Sequence, residues 1–543
     1  MKHHGDGPVT IPPQPDPAVQ ETTFAADSRA ELDVLEPEAI PDQQQRDAEL
    51  ASPRDGDYGP FPDDDRRQGR QDSKPGSSKS SARALAPDLL RGLLMVLMAM
   101  DHNSLGLRSW PHGTAIDGEV DSGVVHEWNR PIAYVIRTLT HLCAPGFTFL
   151  LGMGVVYFGQ SRTNLGWSTA RMLRHFLTRF FVLTLVTEVM GLGITMGQVW
   201  FFNIVLFALA FDYLVAGLLW LAVASSEQTL ASLLLKVLPE QKDDDAAEPL
   251  LQSREGEVDG VAPDRTIIRA ADISWHLHNA VLLGLSFATI WWNHWFSPTN
   301  GDCGVEPVPK LPNSNWYRLW FYFIEGPHVL SGFPPLAWLS FAILGLLYGR
   351  IILARSWTAK VILTGNAFAA VGFFLLFAMT RVFRFGNLSE GCLQMPEHTK
   401  APNSNQYLTS VPSFFYITKY PPDVAFWSFT MAGNFLFLAL FGAIPARFAT
   451  RLFKVLLVFG TSALFFYVLH IPLLFSIGGF VRARFGHTMN FKEPFGDGLA
   501  FGVDNLWAYF GHLALALGIL YPLCRWYGGF KQTKSPDSLW RFF

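Results

Sequence analysis

The sequence predicts an all-α fold, a polytopic bundle of about ten transmembrane helices preceded by a disordered polar tail. Three observations predict it. Charged residues make up 16% of the 543 and hydrophobic residues 49%, with 46 Phe and 17 Trp, whereas an ordinary soluble domain is roughly 25% charged. From Leu85 onward apolar stretches of about 18 to 25 residues recur, long enough for a helix rising 1.5 Å per residue to cross a hydrocarbon core roughly 30 Å thick. Strictly alternating segments of the barrel kind are absent, and in lipid only a helix otherwise satisfies its own backbone.

Taken in order, residues 1–83 are rich in Pro, Asp, Gln, Arg and Ser and have no apolar period, so burial cannot offset the entropy of ordering them. No apolar run follows Met1, Lys2, His3 and His4; no signal peptide is expected, and the first hydrophobic helix serves as the insertion signal. Spans are expected at 88–106, 141–159, 173–193, 200–224, 275–296, 328–349, 359–381, 423–443, 455–478 and 500–524. Residues 225–270, with Asp243, Asp244, Asp245, Glu255, Glu257 and Asp259, read as a mobile acidic cytosolic loop joining two halves of the domain that runs from 84 to 543. A net charge of -4 gives no long-range pull toward nucleic acid, and four cysteines make neither a disulfide scaffold nor a CxxC metal site.

Basic residues set the orientation. A cytosolic N-terminus puts Arg66, Arg67, Arg70, Lys74, Lys79, Arg83, Arg162, Arg171, Arg350, Arg355, Lys360, Arg447, Arg451, Lys454, Lys531 and Lys534 on the cytosolic side, while Arg482, Arg484 and Lys492 run against the trend. An even number of spans places both termini inside; the organelle stays open. Cys303, Cys392 and the Asn387-Leu388-Ser389 sequon then share the opposite face. That compartment permits a Cys303–Cys392 disulfide and a glycan, with the geometry left open.

Ionisable groups inside a membrane are functional candidates by default. Asp88 and Arg91 stand three residues apart on the first helix, able to pair locally and to suit the helix start, or to leave Arg91 facing an anionic ligand. Asp101, His102 and Asn103 lie roughly 15 Å further along the axis. Beyond come His112, His126, Glu127 and then His141, so four of the 15 histidines fall within forty residues at one membrane face. Imidazole accepts and returns protons near neutrality, which suits general acid–base or nucleophilic work. No tight ligand spacing is present, and no metal is expected. Any single histidine of the four also fits a structural hydrogen bond. Glu188, Asp212, His276, His278, His294, Asn366, Asn434 and His470 lie in or near apolar spans and read first as interhelical hydrogen bonds.

Several motifs carry a family resemblance. Arg83-x4-Asp88-Leu-Leu-Arg91-Gly92 with Asp101-His102, then His141-Leu-Cys-Ala-Pro145-Gly-Phe147, Thr418-Lys419-Tyr420-Pro421-Pro422, Phe465-Phe466-Tyr467-Val468-Leu469-His470 and Tyr521-Pro522 together resemble the catalytic domain of the heparan-α-glucosaminide N-acetyltransferase family. The resemblance covers nearly everything from Arg83 to Phe543. It departs at His102, where the family's lysosomal enzyme has Asn and places its catalytic His about ten residues later; His112 is the nearest match.

The resemblance implies an integral-membrane acyltransferase that moves an acetyl group from cytosolic acetyl-CoA to an amine or hydroxyl, possibly of a glucosamine-type sugar, on the other side. It implies a site built from His112 or His102 as base or nucleophile, Asp101 orienting it, and Asn103 or His141 as oxyanion donors. Arg91, Arg171, Arg174 and Arg179 are the expected partners of the CoA phosphates. Membrane lipid surrounds such a protein, and homodimers are common in the family. The alternative from a different class is a transporter using the buried His and Asp residues as a proton relay.

Overall fold

The structure is a computed structural model that describes residues 85–195, 197–238, 265–312, 314–326, 328–492, 498–535, 538 and 540. The tail expected over 1–83 and the acidic centre of the 225–270 loop lie outside the described residues. A helix overlaps each expected span: α1 (Leu85–Leu107), α2 (Pro131–Thr140), α3 (Cys143–Asn164), α4 (Thr169–Ile194), α5 (Val205–Val237), α6 (Arg265–Phe296), α7 (Pro335–Ala354), α8 (Ala359–Phe383), α9 (Val424–Ala443), α10 (Lys454–Thr461), α11 (Ala463–Phe485) and α12 (Leu506–Gln532). Several helices start where the sequence supplies a cap. Ser168, Thr358, Asp423 and Asn505 each accept a backbone N–H in the first turn of α4, α8, α9 and α12.

Among the described residues, eight helical stretches are long and apolar enough to cross a membrane: Pro131–Asn164, which joins α2 and α3, together with α4, α5, α7, α8, α9, α11 and α12. That is the composition of a multi-pass membrane protein. The other two, α1 and α6, are of comparable length but too polar, α1 through Asp88, Arg91, Asp101, His102 and Asn103 and α6 through Arg265, Arg269, Asp272 and its histidines. For α1 the cause is visible in the packing, because α2, α3, α9, α10, α11 and α12 all lie against it. A helix surrounded by protein can carry groups that lipid would reject.

Backbones meet where α1 crosses α10. A Cβ on Gly92 would collide with the Leu456 carbonyl, and one on Gly460 with the Asp88 carbonyl. The α3–α7 crossing is built the same way, Gly152 against Ala342 and Gly345 against Phe149. Between helices that share a lipid environment, this close packing supplies the attraction that the hydrophobic effect supplies in water.

Four expectations need correction. The all-α expectation holds in part: the described residues are mostly helical, but β1 (Phe201–Asn203), β2 (Ile324–Glu325) and β3 (Val329–Ser331) form one small sheet and β4 (His487–Lys492) pairs with β5 (Leu499–Gly502) in another. The spans expected to begin at 200, 328 and 500 therefore start in strands β1, β3 and β5, whose Phe, Val and Leu read equally as strand or buried helix. The span expected over 455–478 breaks between α10 and α11 at Ser462, whose hydroxyl donates to the Cys524 carbonyl of α12 at 3.1 Å. The 225–270 loop is helical at both ends, because α5 runs to Val237 and α6 begins at Arg265.

At the Asp101 end of the bundle the connecting segments build a cap. Val125 bridges to Leu393 and Val120 to Tyr420, over a small core of Ala115, Val125, Leu393, Met395, Tyr407 and Tyr416. Cys303 and Cys392 are disulfide-bonded in this cap, their Cα atoms 5.2 Å apart. The sequon is a different matter. Asn387 is buried, its Nδ2 donates to the Thr380 carbonyl at 3.0 Å and its Oδ1 accepts from Arg381 at 3.0 Å. Its amide nitrogen is committed inside the cap, so a glycan there would have to displace this bond.

Candidate functional site

The end of α1, the 108–130 loop, α2 and the start of α3 bring Asp101, His112, Glu119, Arg137 and His141 into one buried network. Arg137, 3% exposed, sits at its centre. Its Nη1 donates to both oxygens of Asp101 at 3.0 and 2.9 Å, and its Nε and Nη2 donate to Glu119 Oε2 at 3.1 and 2.9 Å. Thr140 Oγ1 donates to Asp101 at 3.1 Å, and the Thr114 amide and hydroxyl donate to Glu119 Oε1 at 2.8 and 2.9 Å. A guanidinium offers a rigid fork and no lone pair, which is why one Arg can hold two carboxylates apart and in place.

The same donor logic assigns the imidazoles. Arg137 Nη1 lies 2.8 Å from His112 Nε2, so that nitrogen accepts and its lone pair is engaged by a permanent cation. His112 Nε2 is also 3.4 Å from Asp101 Oδ2. Burial, with the Arg137 charge next, pushes His112 down to about 3 against the opposing pull of Asp101. Burial works to raise Glu119, but Arg137 and His141 outweigh it and hold this carboxyl well below the usual range. His141 is fully buried and its Nε2 lies 3.0 Å from Glu119 Oε2. A carboxylate only accepts, so His141 Nε2 carries the proton, and its Nδ1 is buried without a partner.

His102 is arranged differently. Its Nδ1 lies 2.7 Å from Nε2 of His470 on α11, with the two rings inclined by only 19°. His470 Nδ1 is 2.6 Å from the Tyr467 carbonyl and 3.2 Å from that of Phe466. Carbonyls only accept, so His470 Nδ1 donates, His470 Nε2 accepts, and His102 Nδ1 is the donor to it. His102 Nε2 is left with a lone pair that no described residue engages.

Asn103 does not join this group. Its Nδ2 donates to the Tyr509 carbonyl of α12 at 3.0 Å, so it faces away from the histidines. His126 and Glu127 are exposed on the cap. Lys419, by contrast, was passed over as a site residue and belongs here. It is 5% exposed, its Nζ lies 5.5 and 5.2 Å from the ring centroids of Phe333 and Tyr420, and it makes neither hydrogen bond nor ion pair through its side chain among the described residues. Its charge reaches Asp101, His102, His112 and His141. Glu119 and Arg137 were likewise missed. Only Arg137, one helical turn before His141, offered a signal, as a cation beside an acid–base candidate at helical spacing.

A cavity of about 350 Å³ is lined by α1, α3, α4, α5, α10, α11 and α12, and neither His102 nor His470 is among its lining residues. Arg91, Arg179 and Lys531 line it, as do Met95 of α1 and Tyr467 of α11, the latter three residues before His470. Arg91 pairs with Asp88 at 2.8 Å, and Arg179 lies over the Tyr213 ring at 4.6 Å. Arg171 stacks on Trp167 at 4.0 Å and Arg174 is exposed; neither lines the cavity. Two of the four arginines expected to meet an anionic donor are thus together, with Lys531 added. A second cavity, between α7 and α8, is lined by apolar groups and Asn366, with no histidine. Among the described residues no group of His, Cys, Asp and Glu side chains is arranged to hold a metal ion. No protein-family model and no curated protein matches this sequence.

Proposed function

We propose that this chain is an integral-membrane acyltransferase that takes an acetyl group from acetyl-CoA and delivers it to an amine or hydroxyl of a small acceptor, a glucosamine-type sugar being the class the sequence motifs favour. The observation that carries this reading is the cavity with Arg91, Arg179 and Lys531 in its lining and Tyr467 one turn from the His102–His470 pair. Cationic side chains suit the phosphates of CoA, and the apolar lining suits its pantetheine arm. In this reading α1 and α6 complete ten spans, both termini are cytosolic, and the disulfide-bonded cap faces an oxidising compartment. The Cys303–Cys392 bond supports that orientation.

His102 is the general base of this proposal. His112 and His141 are less suited, the first because Arg137 engages its lone pair and the second because its proton is committed to Glu119. The acceptor heteroatom attacks the thioester carbonyl while its proton passes to His102 Nε2. The carbonyl becomes an oxyanion, which the buried Lys419 ammonium is proposed to stabilise. The C–S bond then breaks, and the thiolate leaves with the proton from His102. The Asp101–Arg137–Glu119 network holds the end of α1 and the cap in register around this step.

The test is acetyl-CoA binding and CoA release by detergent-purified protein, with His102→Ala, His112→Ala and His141→Ala beside the parent. Turnover that His102→Ala abolishes in a folded protein supports the reading. A folded parent that neither binds nor cleaves acetyl-CoA overturns it in favour of proton-coupled transport, the reading that Asp212 favours, since both its carboxylate oxygens are buried on α5 without a partner.

A further inference from the structure

The geometry points to His470 as a positioning residue that fixes His102 in the one tautomer whose Nε2 lone pair is available, making the base a two-imidazole relay anchored on a helix carbonyl. This rests on the acyltransfer reading above. The chain of bonds has a direction. The Tyr467 carbonyl accepts from His470 Nδ1 at 2.6 Å, and His470 Nε2 accepts from His102 Nδ1 at 2.7 Å. Reversing the sense would require His470 to present a lone pair to a carbonyl oxygen, so one arrangement of protons is allowed. His470 is fully buried, and its ring nitrogens bond only His102 and the Phe466 and Tyr467 carbonyls among the described residues. A bond needed only to hold α1 against α11 could be made by any donor and acceptor. Here both members are imidazoles, and the end of the chain is a basic nitrogen that no described residue engages.

Charged and titratable groups surround the relay. His102 faces Asp101 on its own helix, Arg137 on α2, Lys419 beside the cap and His112 in the 108–130 loop. From α12, the Tyr509 hydroxyl donates to the Met100 carbonyl at 2.7 Å. On α3 the titratable side chains are Cys143, whose thiol donates to the Leu94 carbonyl, and Tyr157 and Arg162 beyond it. On α11, Arg482 and Arg484 lie in the last turn. The α9 helix has no titratable side chain, and α10 has only Lys454 at its start. When His102 takes a proton on Nε2, its Nδ1–H still donates to His470, and this charge-assisted bond favours the imidazolium. Asp101 adds to that, whereas Lys419 and Arg137 oppose it.

The test uses full-length protein in detergent and two readouts. Diethylpyrocarbonate carbethoxylates only a neutral imidazole, so its rate at His102, followed by peptide mass spectrometry between pH 4 and 8, reads the state of that ring without any turnover. Acetyl-CoA turnover is measured alongside. His470→Leu removes the acceptor, and the His102 modification midpoint is expected to fall by about one pH unit, with kcat down about 10- to 100-fold and the acetyl-CoA KM unchanged. His470→Gln sets an amide oxygen where Nε2 stood and should restore both. If His470→Leu does not fold, His470→Asn gives the same contrast, because its amide reaches only the Nδ1 position. An unchanged midpoint in folded His470→Leu, or equal behaviour of the Gln and Asn variants, overturns the relay. Failure of the parent to turn over acetyl-CoA would strike the acyltransfer reading, while the modification midpoints would still decide the relay.

Discussion

Glu119→Gln is a demanding perturbation, because it swaps a carboxylate for an isosteric amide where five donors converge. The Thr114 amide and hydroxyl reach Oε1 at 2.8 and 2.9 Å, Arg137 Nε and Nη2 reach Oε2 at 3.1 and 2.9 Å, and His141 Nε2 reaches Oε2 at 3.0 Å. An amide keeps one acceptor oxygen and turns the other position into a donor. With that oxygen toward Thr114, the NH2 group opposes Arg137 and His141. His141 can adapt, since its Nδ1 has no partner and can take the proton while Nε2 accepts. Arg137 cannot adapt. Two charge-assisted bonds are lost from a side chain that is 3% exposed, at roughly 1.5 to 3 kcal/mol each, less what Asp101 retains. About 3 kcal/mol is expected, a loss large enough to raise the open population of the cap on the order of 100-fold. Native-state proteolysis of the cap in detergent, at protease concentrations low enough that the cap recloses faster than it is cut, measures it. Glu119→Gln within about 0.5 kcal/mol of the parent would refute the network as an anchor of the cap.

Three further outcomes are expected. Stability should fall as pH drops from about 6.5 toward 3, because the unfolded chain protonates His112 near its ordinary value while the folded chain resists until about 3. Glu119, held low in the folded state, adds a loss of the same sign through the carboxylate range; thermal melts across pH 7.5 to 4.5 should show it, and His112→Gln should flatten the upper part of the slope. Under the acyltransfer reading, Lys419→Met should lower kcat by about 10²- to 10³-fold with acetyl-CoA affinity unchanged, read from single-turnover CoA release, and Lys419→Arg should recover part of it. On the same reading, Arg91→Gln and Arg179→Gln should each weaken acetyl-CoA binding by about tenfold, whereas Arg174→Gln should leave it within twofold, as measured by calorimetric titration.

Span positions were legible because length and apolarity are local properties, which is why α3, α4, α8 and α9 fall close to where the sequence put them. Boundaries failed where the same residues suit two backbones, as with Phe201-Phe202 and Val329-Leu330, or where one hydroxyl ends a helix, as at Ser462. Asp101, His102, His112 and His141 could be singled out because they are polar groups at the ends of apolar runs. Glu119 could not, since an acid in a loop looks solvated until Arg137 and His141 are brought to it from 18 and 22 residues away. Lys419 looked like part of a motif rather than a charge, because its placement depends on Phe333 and Tyr420 enclosing it. Asn103 shows the converse: spacing put it beside the histidines, and helical rotation turned it toward Tyr509.

The Gly92–Gly460 contact leaves no space for α1 to slide or roll against α10. Arg91 and His102 ride on this single unbroken helix, eleven residues apart, so the helix holds their axial separation near 16 Å. Under the acyltransfer reading, that helix acts as a fixed ruler between the group that meets the donor's charge and the group that meets its carbonyl. A donor is then selected by reach. A thioester on a pantetheine-length arm spans the interval with its phosphates still engaged, whereas acetyl phosphate or a short acyl thiol must abandon one end to occupy the other. Specificity of this kind needs no pocket shaped to the acetyl group, and the length of the arm alone would discriminate.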